Sequence, residues 1–234
     1  MSDLPDRAGD GAARARTARH ASRGTRVHGK ASVAGTCGKA MTVGDAGSAS
    51  AFDLDCSLIP PPPVLAQNWE VLAFEIQPQQ RTFWCWAAVA ASVARYYDAS
   101  STFTQCSIAS AELRTDCVCS GDVPNPDPCN VYGYLMSSLF RVGHFAKWIA
   151  HRPATSNQVH AEIGHGLPLC ARIVWDGGGA HLVVIAGYAD DDKANVGGLA
   201  IADPWWGLSD IDFDDFPNGY ANCGSCTDNY YTRR

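Results

Sequence analysis

Residues 79–88 read Gln-Gln-Arg-Thr-Phe-Trp-Cys-Trp-Ala-Ala, and they carry the strongest structural signal in the sequence. The alanine-rich run after Cys85 contains no Gly or Pro, so it predicts a helix over residues 86–97. Cys85 then lies at the N-terminus of that helix. The unpaired N–H groups and the positive end of the helix dipole favour a thiolate there, and the thiolate is the reactive form of cysteine. An isolated cysteine is more often a core residue, so this interpretation needs partners elsewhere in the chain.

A cysteine nucleophile needs a base, and the base needs an orienting group. Of the seven histidines, His181 has the most informative context. It follows the Gly-Gly-Gly-Ala of residues 177–180 and opens an apolar, β-branched run that indicates a buried strand. The next apolar segment ends at Asp203. An antiparallel hairpin places the start of one strand beside the end of the next, so we expect His181 and Asp203 to lie together. Taken singly, His181 and Asp203 each fit a structural role about as well as a catalytic role.

These motifs resemble those of papain-like cysteine proteases. The resemblance is carried by Gln79, Cys85-Trp86-Ala87-Ala88, Ala180-His181-Leu182-Val183-Val184 and Asp203-Pro204-Trp205. It is strongest to the bacterial branch that includes plant-pathogen avirulence effector proteases, whose nucleophile has a similar Trp-Cys-Trp-Ala-Ala context. The similarity covers roughly residues 64–215. Papain itself has asparagine where this chain has Asp203, and aspartate also occurs there within the superfamily.

The resemblance implies an α+β, two-lobed papain-like fold. A helical lobe would carry Cys85 on its long helix, and a twisted antiparallel sheet lobe would carry His181 and Asp203. The substrate would lie in the cleft between the lobes. Residues 64–234 would form this protease domain. Helical patterns precede residue 165 and strand patterns follow it, in agreement with that order.

The activity that the resemblance implies is hydrolysis of peptide bonds by a Cys85–His181–Asp203 triad. Cys85 and His181 would form a thiolate–imidazolium pair, and Asp203 would fix the tautomer of His181. The side-chain amide of Gln79 would stabilise the oxyanion together with the backbone N–H of Cys85. Gln80 competes with Gln79 for that role, and the spacing in the family favours Gln79.

Two tryptophans, Trp86 and Trp205, are candidate substrate contacts. Trp205 also fits two other roles, covering the His–Asp contact from water or packing in the core. We expect no metal and no cofactor, a peptide or protein substrate, and a monomeric chain.

Two other classes of function share these residues. A transglutaminase-like or amidase-like acyl transferase uses the same thioester chemistry with a different acceptor. A non-catalytic binding module could be built on the same fold. The binding module is disfavoured because all four candidate catalytic side chains are chemically competent.

Composition limits the partners and the compartment. The chain has 234 residues, 46% of them hydrophobic, and a net charge of −6, so nucleic acid is not an expected partner. No segment approaches the roughly 20 apolar residues that span a bilayer, and the N-terminus lacks the apolar region of a secretory signal. We therefore expect a cytoplasmic protein or one exported without a cleaved signal, with no membrane partner.

Residues 1–63 differ in composition from the rest. They are rich in Arg, Ala, Gly and Ser and end in the run Pro60-Pro61-Pro62-Pro63, which favours a disordered leader joined by a stiff polyproline linker. A propeptide, a partner-binding segment and an export signal all fit this composition.

The ten cysteines favour disulfides over free thiols and over zinc, because the spacings match no standard zinc finger. The best pairing joins Cys117 or Cys119 to Cys129. The remaining cysteines considered are Cys106, Cys223 and Cys226.

Periodicity and capping residues predict the other elements. The predicted strands are 69–76, 169–175, 181–188 and 199–202. The predicted helices run from a Thr104 cap to Leu113, from an Asn130 cap over 131–142, and from a cap at Thr155 or Ser156 over 157–163.

Overall fold

A seven-stranded antiparallel sheet and a group of helices make up the fold in this computed structural model, which describes residues 69–222 and 224–234. The elements in chain order are β1 (Trp69–Val71), α1 (Cys85–Tyr97), α2 (Gln105–Leu113), α3 (Leu135–Arg141), β2 (Phe145–Ile149), α4 (Ser156–Gly164), β3 (Leu169–Trp175), β4 (Ala180–Asp190), β5 (Val196–Asp203), β6 (Gly207–Asp212), α5 (Phe216–Gly219) and β7 (Gly224–Thr232). The sheet order is β2-β7-β3-β4-β5-β6, and β1 pairs with β4. The predicted α+β class is confirmed.

Helix α1 is the centre of the helical side. Every residue from Cys85 to Ala94 is buried, so the helix is enclosed on all faces over that length. Its many alanines favour the helical backbone. Because their side chains are small, α2, α3 and β4 can pack closely against the helix. The first residue of this helix is Cys85, as the sequence predicts.

The hairpin of β4 and β5 brings the two predicted polar partners to one end of the sheet. His181 is the second residue of β4, and Asp203 is the last residue of β5. Val184 pairs with Ala202, so both side chains lie just beyond the same end of that ladder. Strand β4 is buried from its second to its tenth residue, which explains its continuous apolar run.

Most capping and strand predictions are confirmed. Thr104 and Thr155 each accept a hydrogen bond from the backbone N–H three residues on, and each forms a capping box. The observed α2, α4, β3, β4 and β5 all overlap the predicted segments.

The helix predicted over residues 131–142 is wrong in its first turn. Helix α3 begins only at Leu135, and Asn130 does not cap it. Its side-chain oxygen instead accepts the backbone N–H of Phe83 at 3.0 Å. Gly133 lies so close to the indole of Trp86 that a Cβ there would come within 2.3 Å of the ring. Residues 131–134 therefore cover the nucleophile helix instead of extending α3.

The strand predicted over residues 69–76 is shorter than expected. Only Trp69–Val71 pair with β4, and the chain then leaves the sheet edge. Leu72 and Phe74 are still buried while their neighbours are exposed, so the alternating pattern reflects an extended segment without a ladder. This segment leads to the loop before α1.

Three strands escaped sequence analysis, namely β2, β6 and β7. Strand β2 also breaks the predicted division at residue 165, since it precedes α4 and pairs with β7. Strand β7 has a polar sequence, yet Asp228 and Asn229 are buried within it. Asp228 pairs with Arg172, and the side-chain N–H of Asn229 donates to the carbonyl of Arg152, so buried polar groups take the place of an apolar pattern.

One disulfide joins α2 to the loop that follows it, and a second lies within that loop. They link Cys106 to Cys119 and Cys117 to Cys129. The second is one of the two predicted pairings, and the bonded sulfurs are not a zinc site. Cys226 is buried and unpaired, and Cys223 lies outside the described residues.

The predictions for the leader and the polyproline linker, residues 1–63, lie outside the described part of the chain. Within the described part, no helix has the length and apolar character needed to cross a bilayer.

Candidate active site

Cys85 is placed by its helix. It is the first residue of α1, is 6% exposed, and takes part in no disulfide. The residue before it, Trp84, provides no side-chain cap, and the first turn contains no acidic side chain. The N–H groups of this turn therefore keep their hydrogen-bonding capacity and their positive potential at the sulfur.

His181 lies between the thiol and a carboxylate. Its Nε2 is 2.8 Å from Oδ1 of Asp203, and the thiol of Cys85 is near enough to affect the pKa of the imidazole through its charge and through hydrogen bonding. Because Nε2 is taken by Asp203, Nδ1 is the ring nitrogen left for the sulfur. His181 is 7% exposed and Asp203 is 1% exposed, so this contact is shielded from water.

The charges of the pair reinforce each other. Burial alone lowers the pKa of His181, but the charge and hydrogen bond of Asp203 and the contact with Cys85 outweigh it and raise that pKa to about 10. Burial alone raises the pKa of Asp203, but the charge of His181 and the hydrogen bonds that the carboxylate accepts outweigh it and lower that pKa. An imidazolium beside a carboxylate is therefore the favoured state of the pair.

Two tryptophan rings enclose the imidazole. Trp175 stacks on His181 with ring centroids 6.0 Å apart, and Trp206 meets it edge-on at 5.6 Å. These rings, and not Trp205, cover the imidazole. The backbone N–H of Trp205 donates to Oδ1 of Asp203, while its side chain is 49% exposed.

Tyr220 was missed by sequence analysis. Its hydroxyl donates to Oδ2 of Asp203 at 2.5 Å, and its side chain is buried. It lies seventeen residues beyond Asp203 in a segment without a recognisable motif, so no sequence signal singles it out.

Gln79 lies in the loop before α1. Its Nε2 donates to the carbonyls of Arg81 and Thr82, at 2.9 and 2.7 Å, which engages both of its hydrogens. Its Oε1 is buried and accepts no hydrogen bond from the described residues. In this arrangement the amide shapes the loop. Gln80, the competing candidate, has an exposed side chain.

The two candidate substrate contacts have different surroundings. Trp86 is 1% exposed and donates its indole N–H to the carbonyl of Val131. It is a core residue in this structure, and this burial does not favour its predicted role as a substrate contact. Trp205 keeps an exposed face next to the site.

A disulfide-linked loop supports the segment in front of Cys85. Arg81 forms an ion pair with Asp127 at 2.9 Å, and the indole N–H of Trp84 donates to the carbonyl of Cys129 at 2.7 Å. The same disulfides that fix this loop therefore help to fix the backbone before the nucleophile.

The site offers no obvious metal-binding group. Across residues 69–222 and 224–234, no three His, Cys, Asp or Glu side chains come together in a way that could hold a metal ion.

Sequence comparison identifies the family. Residues 66–220 match the family described as papain-like cysteine protease AvrRpt2. The chain belongs to this family. It is therefore a papain-like cysteine protease, a hydrolase that acts on protein, and this assignment takes precedence over the acyl-transferase and binding-module alternatives.

Two solved structures resemble the fold. One is the peptidase domain of Streptococcus ComA, described as a bi-functional ABC transporter involved in a quorum-sensing pathway, with 14% identity, a TM-score of 0.42, and coverage of 69% of this chain and 99% of that chain. The other is the Pseudomonas avirulence protein AvrPphB, with 9% identity, a TM-score of 0.33, and coverage of 69% of this chain and 98% of that chain. No curated protein matches the chain.

Proposed function

We propose that this protease cleaves peptide bonds through a Cys85–His181–Asp203 triad. The observation that supports the proposal is the buried hydrogen bond of His181 to Asp203, together with the interaction between the imidazole and the thiol of Cys85. Burial of both polar partners strengthens their attraction, because little water screens it.

Acylation starts from the thiolate–imidazolium pair. The sulfur of Cys85 attacks the carbonyl carbon of the scissile bond and forms a tetrahedral intermediate. Nδ1 of His181 gives its proton to the leaving amine nitrogen, the C–N bond breaks, and a thioester remains on Cys85. His181 then takes a proton from water, the resulting hydroxide displaces the sulfur, and the carboxylic acid product leaves.

The backbone N–H of Cys85 and the side-chain amide of Gln79 would stabilise the oxyanion. The first four N–H groups of a helix have no acceptor within it, and Cys85 supplies the first of these in α1. Gln79 must release one loop carbonyl to reach the oxyanion, since both hydrogens of its Nε2 are engaged in this arrangement. We propose that substrate binding brings about this exchange.

Trp205 is the proposed substrate contact. Its backbone is held by Asp203, and its exposed ring extends beside the triad. An aromatic face at that place would pack against an apolar part of the substrate.

The triad is tested by labelling Cys85 with iodoacetamide at pH 5 to 6 and locating the adduct by mass spectrometry. We expect fast labelling in the wild type and slow labelling in His181→Ala, because the variant loses the imidazolium that stabilises the thiolate. Cys170 and Cys226 are internal controls, since burial raises the pKa of both thiols and they should stay unlabelled.

Equal labelling rates in the two proteins would overturn the proposed triad. Loss of all peptidase activity in Cys85→Ala, with an unchanged fold by circular dichroism, is the matching expectation for the nucleophile. Retention of that activity would place the nucleophile elsewhere.

A further inference from the structure

We propose that Tyr220 is a positioning residue of the active site, which holds the carboxylate of Asp203 and, through it, the imidazole of His181. The inference rests on the proposed triad and adds a fourth side chain to it. The phenol O–H donates to Oδ2 of Asp203, and neither group is accessible to solvent.

The two oxygens of Asp203 have separate partners. Oδ1 accepts Nε2–H of His181 at 2.8 Å and the backbone N–H groups of Trp205 and Trp206 at 2.6 and 3.2 Å. Among the described residues, Tyr220 is the donor that the structure gives to Oδ2. Without it, one oxygen of a buried carboxylate would lose its partner, and rotation of the carboxylate would no longer be restrained from that side.

The phenol ring is itself firmly held. It contacts the rings of Trp175, Trp206 and Phe216, with centroids 6.2, 6.5 and 5.9 Å away. The backbone of Tyr220 exchanges two hydrogen bonds with Gly224, of 3.0 and 2.9 Å. The same aromatic rings that enclose His181 therefore also fix Tyr220.

Close packing determines the residue at position 224. A Cβ there would lie 2.4 Å from Cγ2 of Ile173 and 2.6 Å from the ring of Trp175. Glycine lets β7 begin directly against β3. This close approach helps to position Tyr220 relative to Asp203, because the backbone of Tyr220 is bonded to Gly224.

Tyr220 keeps its proton, and so stays a donor, beyond the pH at which an ordinary tyrosine ionises. Burial, and then the negative charge of Asp203, raise the pKa of Tyr220 well above its ordinary value. The hydrogen bond in turn is one of the interactions that lower the pKa of Asp203. The titratable groups that contact this carboxylate, directly or through the imidazole, are His181, Tyr220 and Cys85.

The test compares Tyr220→Phe with Tyr188→Phe. Tyr188 also donates its hydroxyl to a carboxylate, that of Glu70 at 2.8 Å, but the bond lies at the far end of β4. Each variant removes one phenol O–H and keeps the ring. The rate of Cys85 labelling with iodoacetamide is measured from pH 3 to 9, together with the melting temperature.

The acid limb of the labelling profile is the low-pH range over which the labelling rate rises. In Tyr220→Phe we expect this limb to move to higher pH by about one unit, because a hydrogen bond to a charged group changes its protonation equilibrium by roughly a factor of ten. The midpoint pH of this limb is a property of the coupled triad and is not assigned to one residue. In Tyr188→Phe the limb should stay in place even if the melting temperature falls. An unmoved limb in Tyr220→Phe would overturn the proposal.

A double variant separates positioning from general stability. If Tyr220 acts through Asp203, then Tyr220→Phe should change the labelling profile of an Asp203→Asn protein less than twofold at every pH. An additive effect in that background would also overturn the proposal. Failure of the triad itself gives a different result, since labelling would then be independent of His181 in the otherwise unchanged protein.

Discussion

The two halves of the site are held in different ways. On the helical side, Cys85 is fixed by its place in the backbone of α1 and by a loop that carries two disulfides. On the sheet side, His181 and Asp203 are fixed by side-chain hydrogen bonds and by opposite charges. The proposed nucleophile therefore depends on covalent and main-chain structure, whereas the proposed base depends on protonation states.

This difference predicts which changes affect which half. A side chain that is placed by the main chain should keep its position when a single side-chain contact is lost, but it should move when the supporting loop moves. A charge network in a buried place loses much of its function when one proton or one carboxylate is changed, because the remaining charge has no substitute partner. The first two predictions concern chemistry at the site, and the last two concern stability.

The largest effect is expected for Asp203→Asn. The carboxylate charge is the largest of the interactions that oppose burial at His181, so without it the pKa of His181 falls from about 10 to a lower value. Above that lower pH the imidazole is neutral and cannot protonate the leaving amine. Because the hydrogen bond that orients the imidazole is changed as well, we expect kcat/KM for a peptide substrate to fall on the order of 10⁴-fold at pH 7.5. The measurement is the full pH–rate profile.

The direction in which the pKa of His181 shifts is the more specific part of the prediction. In the wild type, the imidazolium persists until the pH rises through about 10, and activity should decline there. In Asp203→Asn the decline should begin at a lower pH than in the wild type. A variant whose alkaline limb stayed near pH 10 would show that Asp203 does not control His181.

A smaller loss is expected for Gln79→Ala, and only in hydrolysis. Removing one oxyanion donor typically lowers kcat by about 10²–10³-fold. Alkylation of the thiolate forms no oxyanion, so the labelling rate of Cys85 should change less than twofold. Gln80→Ala is the matched control, because Gln80 is the neighbouring amide and its side chain is exposed. If labelling and hydrolysis fell together in Gln79→Ala, the amide would be a structural part of the loop.

Sequence analysis predicted those features that depend on local pattern. The alanine-rich run predicted α1, and the two threonine caps predicted the starts of α2 and α4. The glycine-rich approach and the apolar run predicted the hairpin that brings His181 to Asp203. In each case the signal lies within about ten consecutive residues, which is the range over which periodicity and capping act.

The features that sequence analysis missed depend on contacts between distant segments. Tyr220 donates to Asp203 from a segment whose backbone pairs with Gly224, which packs against Trp175. Asn130 looked like a helix cap, but its side chain accepts the backbone N–H of Phe83 in the loop before Cys85. Trp86 was a candidate substrate contact, but it is buried and donates its indole N–H to the carbonyl of Val131. A side chain whose role depends on a contact with a distant segment leaves no periodic pattern in the sequence around it.

Removal of the Cys117–Cys129 disulfide should reduce stability without changing the chemistry of the base. The bridge closes a loop of twelve residues, and bridges of this size contribute about 2–4 kcal/mol to the free energy of unfolding. We expect a loss in that range for Cys117→Ala with Cys129→Ala, measured by urea denaturation. The alkaline limb of the pH–rate profile should stay near pH 10, because the hydrogen bonds of Asp203 are untouched. A shifted limb would show that the two halves of the site are coupled.

Asp127→Asn is the non-covalent counterpart of that experiment, with the smallest effect. The substitution removes the charge that faces Arg81 but keeps Oδ1, which accepts the backbone N–H of Cys129. A partly exposed ion pair contributes about 0.2–1 kcal/mol, so the free energy of unfolding should fall by no more than that, and less in high salt. If the loss equalled that of the disulfide, the ion pair and not the covalent link would hold the loop before Cys85. A loss within the expected range, with unchanged labelling of Cys85, would show that the nucleophile is held chiefly by main-chain and covalent structure.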